Sequence, residues 1–261
     1  MLIQAGKMAV IGQLSSGVAH EVKNPLSVIL NGISFLEQEL KLENADQIEV
    51  FQLMKDAVHR SDRIIRGLLD FSKPSSCEPK PCNLGEIVDA SLHLVKKQFA
   101  VKEIQIQVDV PASLPPVLVD DNQMKQVFIN LMLNALQAMP SGGRLLVRAA
   151  IKELTTTSSQ VGRRSTDTFK PGERVLVCDV EDTGAGIPKD LLTKVFEPFF
   201  TTKPAGQGVG LGLAITKAIV ERQRGLIELR SQEGQGTTVS IVLPLAMAGK
   251  EEDCADASRQ G

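Results

Sequence analysis

The chain contains no tryptophan and no tyrosine, and only nine phenylalanines among its 261 residues. Proteins that bind single-stranded nucleic acid stack bases on aromatic rings, so this scarcity counts against that class. The formal net charge is −2, from 29 basic and 31 acidic residues. A chain without excess positive charge lacks the attraction that broad binding to nucleic acid or to an anionic membrane requires. We therefore expect no direct contact with nucleic acid.

Cysteines and long apolar runs are also scarce. Neither a CxxC spacing nor a neighbouring histidine accompanies the four cysteines, so neither a zinc site nor a disulfide framework is indicated. No apolar run approaches the roughly 18 residues that span a bilayer, and no signal peptide is recognisable. We expect reduced thiols and a cytoplasmic location. A sensor region or membrane segment preceding this fragment in a longer protein is left open.

The first 72 residues carry two apolar stripes with helical spacing. Apolar residues recur at steps of mostly three or four from Leu14 to Leu40, and a second stripe runs through residues 47–72. The short polar stretch between them predicts an antiparallel helical hairpin. Because one hairpin cannot bury its stripes on both sides, we expect two chains to pair through residues 1–73 as a four-helix bundle, a homodimer.

The rest of the chain mixes helical and strand patterns. Closely spaced prolines predict a linker over residues 74–82. Residues 83–245 then predict an α+β domain, and a polar tail over 246–261 is expected to be disordered. The predicted helices of this domain cover residues 83–100, 120–139, 189–195 and 211–224. The predicted strands cover residues 104–110, 117–119, 144–152, 173–180, 226–231 and 237–243.

One histidine lies within the first helical segment. His20 has Glu21 beside it and Asn24 one helical turn later. An imidazole whose second nitrogen is held by a carboxylate can act as a nucleophile. The same stretch is equally typical of a solvated helix surface, so by itself it leaves both interpretations open.

A pair of amides marks a predicted helix of the second domain. Asn130 and Asn134 are four residues apart, which places both side chains on one face. An amide oxygen is a hard ligand that suits Mg²⁺, an ion that keeps several waters and bridges phosphates. Alone, the pair is more typical of two exposed asparagines.

Three glycine-rich stretches follow. Asp182 comes directly after a buried strand and begins Asp-Thr-Gly-Ala-Gly-Ile, in which a carboxylate could accept from an exocyclic amine while glycines let a flat base approach. Residues 206–212 open a helix, where backbone N–H groups can meet phosphate oxygens. They match neither the Walker loop nor the dinucleotide fingerprint. Residues 234–237 could complete a base pocket.

In this order, the motifs resemble those of the sensor histidine kinases of two-component systems, over about residues 8–244. The resemblance implies a dimerisation and phosphoacceptor domain over residues 1–73. It implies an α/β-sandwich ATP-binding domain over 83–245, of the type shared with gyrase, heat-shock-90 chaperones and mismatch-repair ATPases. ATP and Mg²⁺ are the implied cofactors. The receiver domain of a response regulator is the implied partner.

The resemblance also implies roles for single residues. His20 would accept the phosphoryl group, Glu21 would fix its tautomer, and Asn24 would position a water that dephosphorylates the regulator. Asn134 would be the Mg²⁺ ligand of an N box shared with Asn130. The implied nucleotide contacts are Asn130, Asn134, Asp182, Gly184, Gly186, Ile187, Phe199, Thr201, Thr202, Lys203, Gly208, Val209, Gly210, Leu211, Gly212, Leu213 and Thr237.

Two further details refine the resemblance. Gln137 stands where many relatives carry a basic residue, so phosphate charge must be met elsewhere, by Mg²⁺, the helix N-terminus near Leu211 and Lys203. The lead-in Lys-Met-x-x-x-Gly-Gln-Leu over residues 7–14 resembles the nitrogen-regulation-type branch. The segment from Phe196 to Gly210 would form a mobile lid over ATP.

The implied activity is that of a protein-histidine kinase, with phosphotransfer to an aspartate and phosphatase action on the regulator. Three alternatives were weighed. A serine kinase acting on sigma-factor regulators would not need the helical hairpin. A non-catalytic nucleotide-binding module is disfavoured by the intact Asn134 and Asp182. A gyrase-like ATPase would need a carboxylate base where Asn130 stands.

Overall fold

The computed structural model describes residues 22, 24–40, 44–72, 78–154, 169–170, 172–202 and 210–246, with backbone alone at 60 and 63–72. The chain divides into two compact units. The first comprises Met1–Ser76 and Lys194–Ile215, and the second comprises Cys77–Thr193 and Thr216–Gly261. The domain limits expected from the sequence, at residues 73, 82 and 245, stay predictions.

The first unit contains two helices, α1 over residues 24–39 and α2 over Ala45–Ser72. The Asn44 side chain accepts a hydrogen bond of 2.9 Å from the backbone N–H of Asp46, which caps the start of α2. An ion pair between Glu37 and Lys55 joins the helices. Ile33 on α1 and Val58 on α2 are both buried.

Many apolar side chains of α1 and α2 are nevertheless exposed. Phe35 of α1 is 61% exposed and Leu53 of α2 is 60% exposed, and Val28 and Leu40 are exposed to a similar extent. Scattered apolar residues on a surface are ordinary, whereas a helix pair rich in them marks an interaction surface. This unit therefore leaves much of its apolar stripe uncovered by its own chain.

The second unit is built on a five-stranded sheet with the strand order β2-β4-β5-β7-β6. Strand β2 runs parallel to β4, and the other neighbours are antiparallel. A separate two-stranded sheet pairs β1 with β3. The strands are β1 (Lys80–Cys82), β2 (Ile104–Asp109), β3 (Val117–Val119), β4 (Gly143–Glu153), β5 (Arg174–Asp182), β6 (Leu226–Gln232) and β7 (Gly236–Pro244).

Three helices accompany the sheet: α3 (Leu84–Val101), α4 (Asp121–Ala138) and α5 (Gly212–Arg222). Side chains cap two of them. Asn83 accepts from the N–H of Gly85 at 2.8 Å, and Asp120 accepts from the N–H of Gln123 at 3.1 Å. Because each cap satisfies an orphan N–H group, each stabilises its helix by about 1 kcal/mol.

The core of this unit lies between the helices and the sheet. Helix α4 packs on α3 and contacts β5 and β7. Its apolar face, which includes Phe128 and Met132, is completely buried, and so is Phe99 of α3. The result is an α/β sandwich, which is the fold class expected for residues 83–245.

The residues that follow β7 also attach to the small sheet. Leu245 forms a bridge with Val117, and the N–H of Ala246 donates to the carbonyl oxygen of Pro116 at 3.0 Å. Strand β3 therefore contacts both β1, where this unit begins, and the residues that follow β7.

Two expectations about local structure were wrong. Lys80–Cys82 was assigned to the linker but forms β1, and Pro81 fits there because an edge strand does not need every N–H for pairing. The helix expected over 189–195 is a single 3₁₀ turn, Lys189–Leu191, followed by turns. Pro188 precedes this turn and provides no side-chain cap. Because so short a helix is not stable by itself, it does not continue to residue 195.

Within the described residues, no helix is both long enough and apolar enough to span a bilayer. Cys82 and Cys178 are buried free thiols, and burial raises the pKa of the Cys178 thiol well above its ordinary value. Both thiols are therefore protonated at neutral pH, as expected of structural cysteines. His20 and Glu21 lie outside the described residues.

Candidate functional site

Asp182 ends β5, the central strand of the sheet, and is 8% exposed. Burial raises the pKa of its carboxyl above the usual value, while hydrogen bonds from the N–H groups of Gly184 and Thr237 lower it partway back. The Gly184 N–H lies 2.8 Å from Oδ1. These backbone hydrogen bonds hold the buried carboxylate in one orientation. In that orientation it can accept a hydrogen bond from an amine of a ligand.

The loop after Asp182 packs tightly on the C-terminal end of α4. The N–H of Ala185 donates to the carbonyl oxygen of Ala138 at 3.1 Å. A Cβ added at Gly184 would lie 2.6 Å from the same oxygen, so no larger residue fits. The first glycine of the motif is therefore required by close packing against a helix end.

The two predicted amides lie on the helix that this loop contacts. Asn130, Asn134 and Ala138 follow one another at steps of four, which places them along one face of α4. Both asparagines are half-buried. The loop that carries Asp182 meets this face at Ala138, so the structure brings the first glycine motif and the amide pair to one helix.

Two more glycines close the loop against the β6–β7 turn. Gly186 has φ +69°, and a Cβ there would lie 2.0 Å from the carbonyl oxygen of Gln232. Gly236 has φ +104°, and its Cβ would lie 1.9 Å from the carbonyl oxygen of Asp182. Backbone therefore packs directly on backbone, which fixes the position of the Asp182 loop.

Three polar side chains stand in register across neighbouring strands. Asp182 of β5 pairs with Thr237 of β7, and Thr237 pairs with Ser231 of β6. The Ser231 hydroxyl accepts from the N–H of Ile187 at 2.8 Å and donates to the carbonyl oxygen of Gly236 at 2.8 Å. It also lies 2.9 Å from Thr237 Oγ1. The sequence alone does not indicate these contacts of Ser231, because they depend on the register of β6 and β7.

The segment Lys194–Ile215 of the first unit carries the remaining predicted contacts. Phe199 has φ +67° and is 57% exposed, which is uncommon for an aromatic residue. Gly210 has φ +71°, and a Cβ there would lie 2.4 Å from the carbonyl carbon of Phe199. The backbone at Phe199 and the backbone at Gly210 therefore lie close together.

The loop leads into α5. Leu211 is buried, and its carbonyl oxygen accepts the first helical N–H, from Ile215, at 2.9 Å. Gly212 and Leu213 are half-buried in the first turn, and Thr201 and Thr202 are exposed. Lys203, Gly208 and Val209 lie outside the described residues, and Asn24 is exposed on α1.

The donors on α4 fit a magnesium ion shared with a nucleotide. Among the described residues, no group of three or more histidine, cysteine or acidic side chains could hold a metal ion without help. Amide oxygens on α4, such as that of Asn134, are hard neutral donors. Mg²⁺ commonly takes one or two protein oxygens and completes its shell with water and phosphate. These residues therefore suit a metal that arrives with its phosphates.

Two protein families match consecutive parts of the chain. The "His Kinase A (phospho-acceptor) domain" matches residues 10–76, and the "Histidine kinase-, DNA gyrase B-, and HSP90-like ATPase" matches residues 119–247. The chain belongs to the sensor histidine kinases. This histidine kinase is 34% identical, over 97% of its length, to the sensor kinase CckA of Brucella abortus (strain 2308). It spans 26% of that protein, and between a quarter and a half of the curated relatives it matches first.

Solved histidine kinases share the fold. Full-length ShkA in complex with AMPPNP matches 91% of this kinase, with a TM-score of 0.67 and 22% identity, over 47% of its own chain. Histidine kinase ThkA in complex with the response regulator protein TrrA matches 93%, with a TM-score of 0.61 and 22% identity, over 64% of its own chain. At this identity the likeness confirms the fold class: a helical region followed by an α/β sandwich.

Proposed function

We propose that this chain is the catalytic core of a protein-histidine kinase, which uses ATP to phosphorylate His20 and passes the phosphoryl group to an aspartate of a response regulator. One observation carries the proposal: the buried Asp182 sits on a loop that packs against the amide-bearing face of α4. This arrangement occurs in a chain whose first part matches a phosphoacceptor family. The relationship to the sensor kinase CckA supports the same activity.

The chemical step is an in-line displacement. One nitrogen of neutral His20 attacks the γ-phosphorus of ATP, a P–N bond forms, the bond to the β,γ-bridging oxygen breaks, and ADP leaves. The other ring nitrogen carries its proton throughout. Glu21 accepts a hydrogen bond from that N–H, which fixes the tautomer and stabilises the positive charge that develops on the ring.

Residues of α4 and of the glycine motifs would hold ATP and Mg²⁺. Asp182 would accept from the adenine amine, and Asn134, with Asn130 beside it, would supply amide oxygen to the metal. Backbone N–H groups at the start of α5, from Gly210 onward, meet phosphate oxygens, because a helix N-terminus attracts anions. Bound Mg²⁺ would supply positive charge to the phosphates. This charge matters more here because Gln137 stands where many relatives carry a basic residue. The AMPPNP in the ShkA structure supports nucleotide binding at a site of this fold.

The partner is the receiver domain of a response regulator. The complex of ThkA with the response regulator TrrA supports this choice. Asn24 lies exposed on α1 and follows His20 by four residues in the sequence, which suits a role in positioning water against a phosphorylated regulator. The core is therefore proposed to act as a phosphatase of the regulator as well as its phosphoryl donor.

The core is also proposed to be a homodimer through residues 1–73, and the exposed apolar side chains of α1 and α2 support this. In a four-helix bundle the stripes of two chains cover each other. Assignment to the nitrogen-regulation-type branch, a sensor or membrane segment before this fragment, and a cytoplasmic location stay predictions.

The test is to incubate the chain with Mg²⁺ and γ-labelled ATP. The chain has three histidines, so the experiment compares His20→Ala with the matched variants His59→Ala and His93→Ala. We expect label that survives alkali and is lost in acid, because a phosphoramidate P–N bond is acid-labile. That label should vanish in His20→Ala alone.

Other outcomes would contradict the proposal in recognisable ways. Acid-stable label would indicate transfer to serine. Release of phosphate without labelled protein would indicate a gyrase-like ATPase. Binding of ATP with neither label nor hydrolysis would indicate a non-catalytic module.

A further inference from the structure

The hydroxyl of Ser231 has three polar neighbours within hydrogen-bond distance but a single proton to donate. The neighbours are the backbone nitrogen of Ile187 at 2.8 Å, the carbonyl oxygen of Gly236 at 2.8 Å and Thr237 Oγ1 at 2.9 Å. The nitrogen can only donate, and the carbonyl oxygen can only accept. The direction of the third contact, between two hydroxyls, follows from counting protons.

One arrangement satisfies all three contacts. If Ser231 gave its proton to Thr237, its oxygen would face the carbonyl oxygen of Gly236 at 2.8 Å with no hydrogen between them. Two acceptors at that distance repel each other. Ser231 must therefore donate to Gly236, accept from the Ile187 N–H, and accept the proton of the Thr237 hydroxyl. This uses its one proton and its two lone pairs.

The proton of Thr237 is thus committed to Ser231, and its oxygen keeps only acceptor capacity elsewhere. Thr237 is in register with Asp182 on the neighbouring strand, so both side chains point to the same face of the sheet. Two acceptors, a carboxylate and a hydroxyl oxygen without a free proton, therefore stand side by side where β5 and β7 meet the glycine loop.

We infer that Ser231 determines the base specificity of the site, as a positioning residue that holds the Thr237 hydroxyl as an acceptor. The inference rests on the proposed ATP site and deepens it. A base edge with an amine, as in adenine, supplies a donor to this pair of acceptors. The 6-oxo edge of hypoxanthine presents a carbonyl oxygen to them and is rejected.

Ser231 acts through Thr237 and does not need to touch the nucleotide. Without the serine oxygen, the Thr237 hydroxyl can rotate and give its proton to a 6-oxo group. The substitution would then reduce only the discrimination between adenine and hypoxanthine. A site that is built to accept a hydrogen bond from its ligand penalises a ligand that lacks the donor. A purely structural role of Ser231 would weaken both nucleotides equally.

The experiment measures the dissociation constants of ATP and ITP for the whole chain with Mg²⁺, together with thermal unfolding. Ser231→Ala should lower the ratio of the ITP constant to the ATP constant about tenfold, which is the effect of about one hydrogen bond. Ser231→Thr keeps the hydroxyl and should keep the wild-type ratio.

Ser240→Ala is the matched control. Ser240 lies on β7, the strand that carries Thr237, but its hydroxyl donates to Asp179 at 2.6 Å. In the alternation of β7 side chains it belongs to the sheet face opposite Thr237. This variant removes a buried hydroxyl from the same strand and should leave the ITP to ATP ratio unchanged.

Several outcomes would overturn the inference. If Ser231→Ala weakens ATP and ITP equally, the serine only supports structure. If the wild type binds both nucleotides equally well, the inference fails while the proposed ATP site stands. Failure of the wild type to bind ATP would remove the proposed function as well. Should Ser231→Ala not fold, the near-isosteric Thr237→Val must lower the ratio too, and an unchanged ratio there overturns the inference.

Discussion

The two units of this histidine kinase differ in how completely they bury their apolar side chains. In the second unit, α4 buries its whole apolar face, with Phe128 and Met132 fully enclosed. In the first unit, α1 and α2 leave Phe35 and Leu53 more than half exposed. The sheet unit completes its core within one chain. The helical unit leaves an apolar surface open, which the proposed dimer would cover, so the two units should respond to substitution in different ways.

The largest expected effect is on the closed core. Phe128→Ala should destabilise the second unit by about 3–5 kcal/mol, because removing a buried ring leaves a cavity in a close-packed core. ATP binding should be lost with it, while dimerisation through the first unit persists. Thermal unfolding followed by calorimetry, together with light scattering, checks both. Leu94→Ala, at a position of α3 that is 65% exposed, should change stability by less than about 0.5 kcal/mol.

Next comes the open helical surface. Phe35→Asp or Leu53→Asp should raise the dimer dissociation constant by about a hundredfold or more, because a charge buried without a partner costs about 3 kcal/mol. Size-exclusion chromatography with light scattering measures the change. Leu94→Asp places the same charge on an exposed site of the other unit and should leave the dimer intact. A dimer that survives both helix substitutions would mean that the copies associate elsewhere.

Asp182→Asn tests the site within the closed unit. We expect the ATP dissociation constant to rise about tenfold or more, because an amide is a weaker acceptor for the adenine amine than a carboxylate. Titration calorimetry with ATP measures this loss.

The same variant has a pH signature in the protein without nucleotide. Since burial raises the folded-state pKa of Asp182, its favourable contribution to stability is present below the ordinary aspartate pKa, near 4, and is lost as pH rises through the folded pKa. Asp182→Asn should therefore be more stable than the wild type at pH 7 and lose that advantage in acid. Urea unfolding at several pH values measures it, and a constant difference would contradict the expected role of burial.

The smallest effects concern helix caps, one in each unit. Asp120→Ala should cost about 1–2 kcal/mol, because the carboxylate accepts from two backbone N–H groups, of Asn122 and Gln123. Asn44→Ala, at an exposed cap with one such bond, should cost about 0.5 kcal/mol. Asp120→Asn keeps an acceptor and should recover most of the loss. Chemical denaturation compares the three variants, and equal costs at the two caps would contradict this ranking.

Much of the fold follows from local patterns. The predicted helix over residues 120–139 agrees with the observed α4, because the cap at Asp120 and the glycines after Ser141 act within one turn. Strand β1 was missed, since the prolines around it indicate a linker and its partner β3 lies 37 residues away along the chain.

The residues of the candidate site fall into the same two groups, those that a local motif indicates and those that depend on distant contacts. Asn130, Asn134 and Asp182 could be proposed from the sequence, because each lies in a short motif that carries its chemistry. Ser231 was not found, since it becomes informative only when β6 and β7 are paired and Ile187 is brought to it. The reason that Gly184 cannot be replaced, its contact with Ala138, likewise depends on a helix 46 residues earlier. Chemistry that depends on one segment is visible in a sequence, and chemistry that depends on strand register is not.

The small sheet around β3 has a consequence for how this domain is joined to others. Chain entry at β1 and chain exit after Leu245 both attach to β3, so its two termini leave from neighbouring points. A domain with adjacent termini can be placed between other modules without stretching its connections. Any module fused directly after Ala246 would start close to β1 and would share that attachment point.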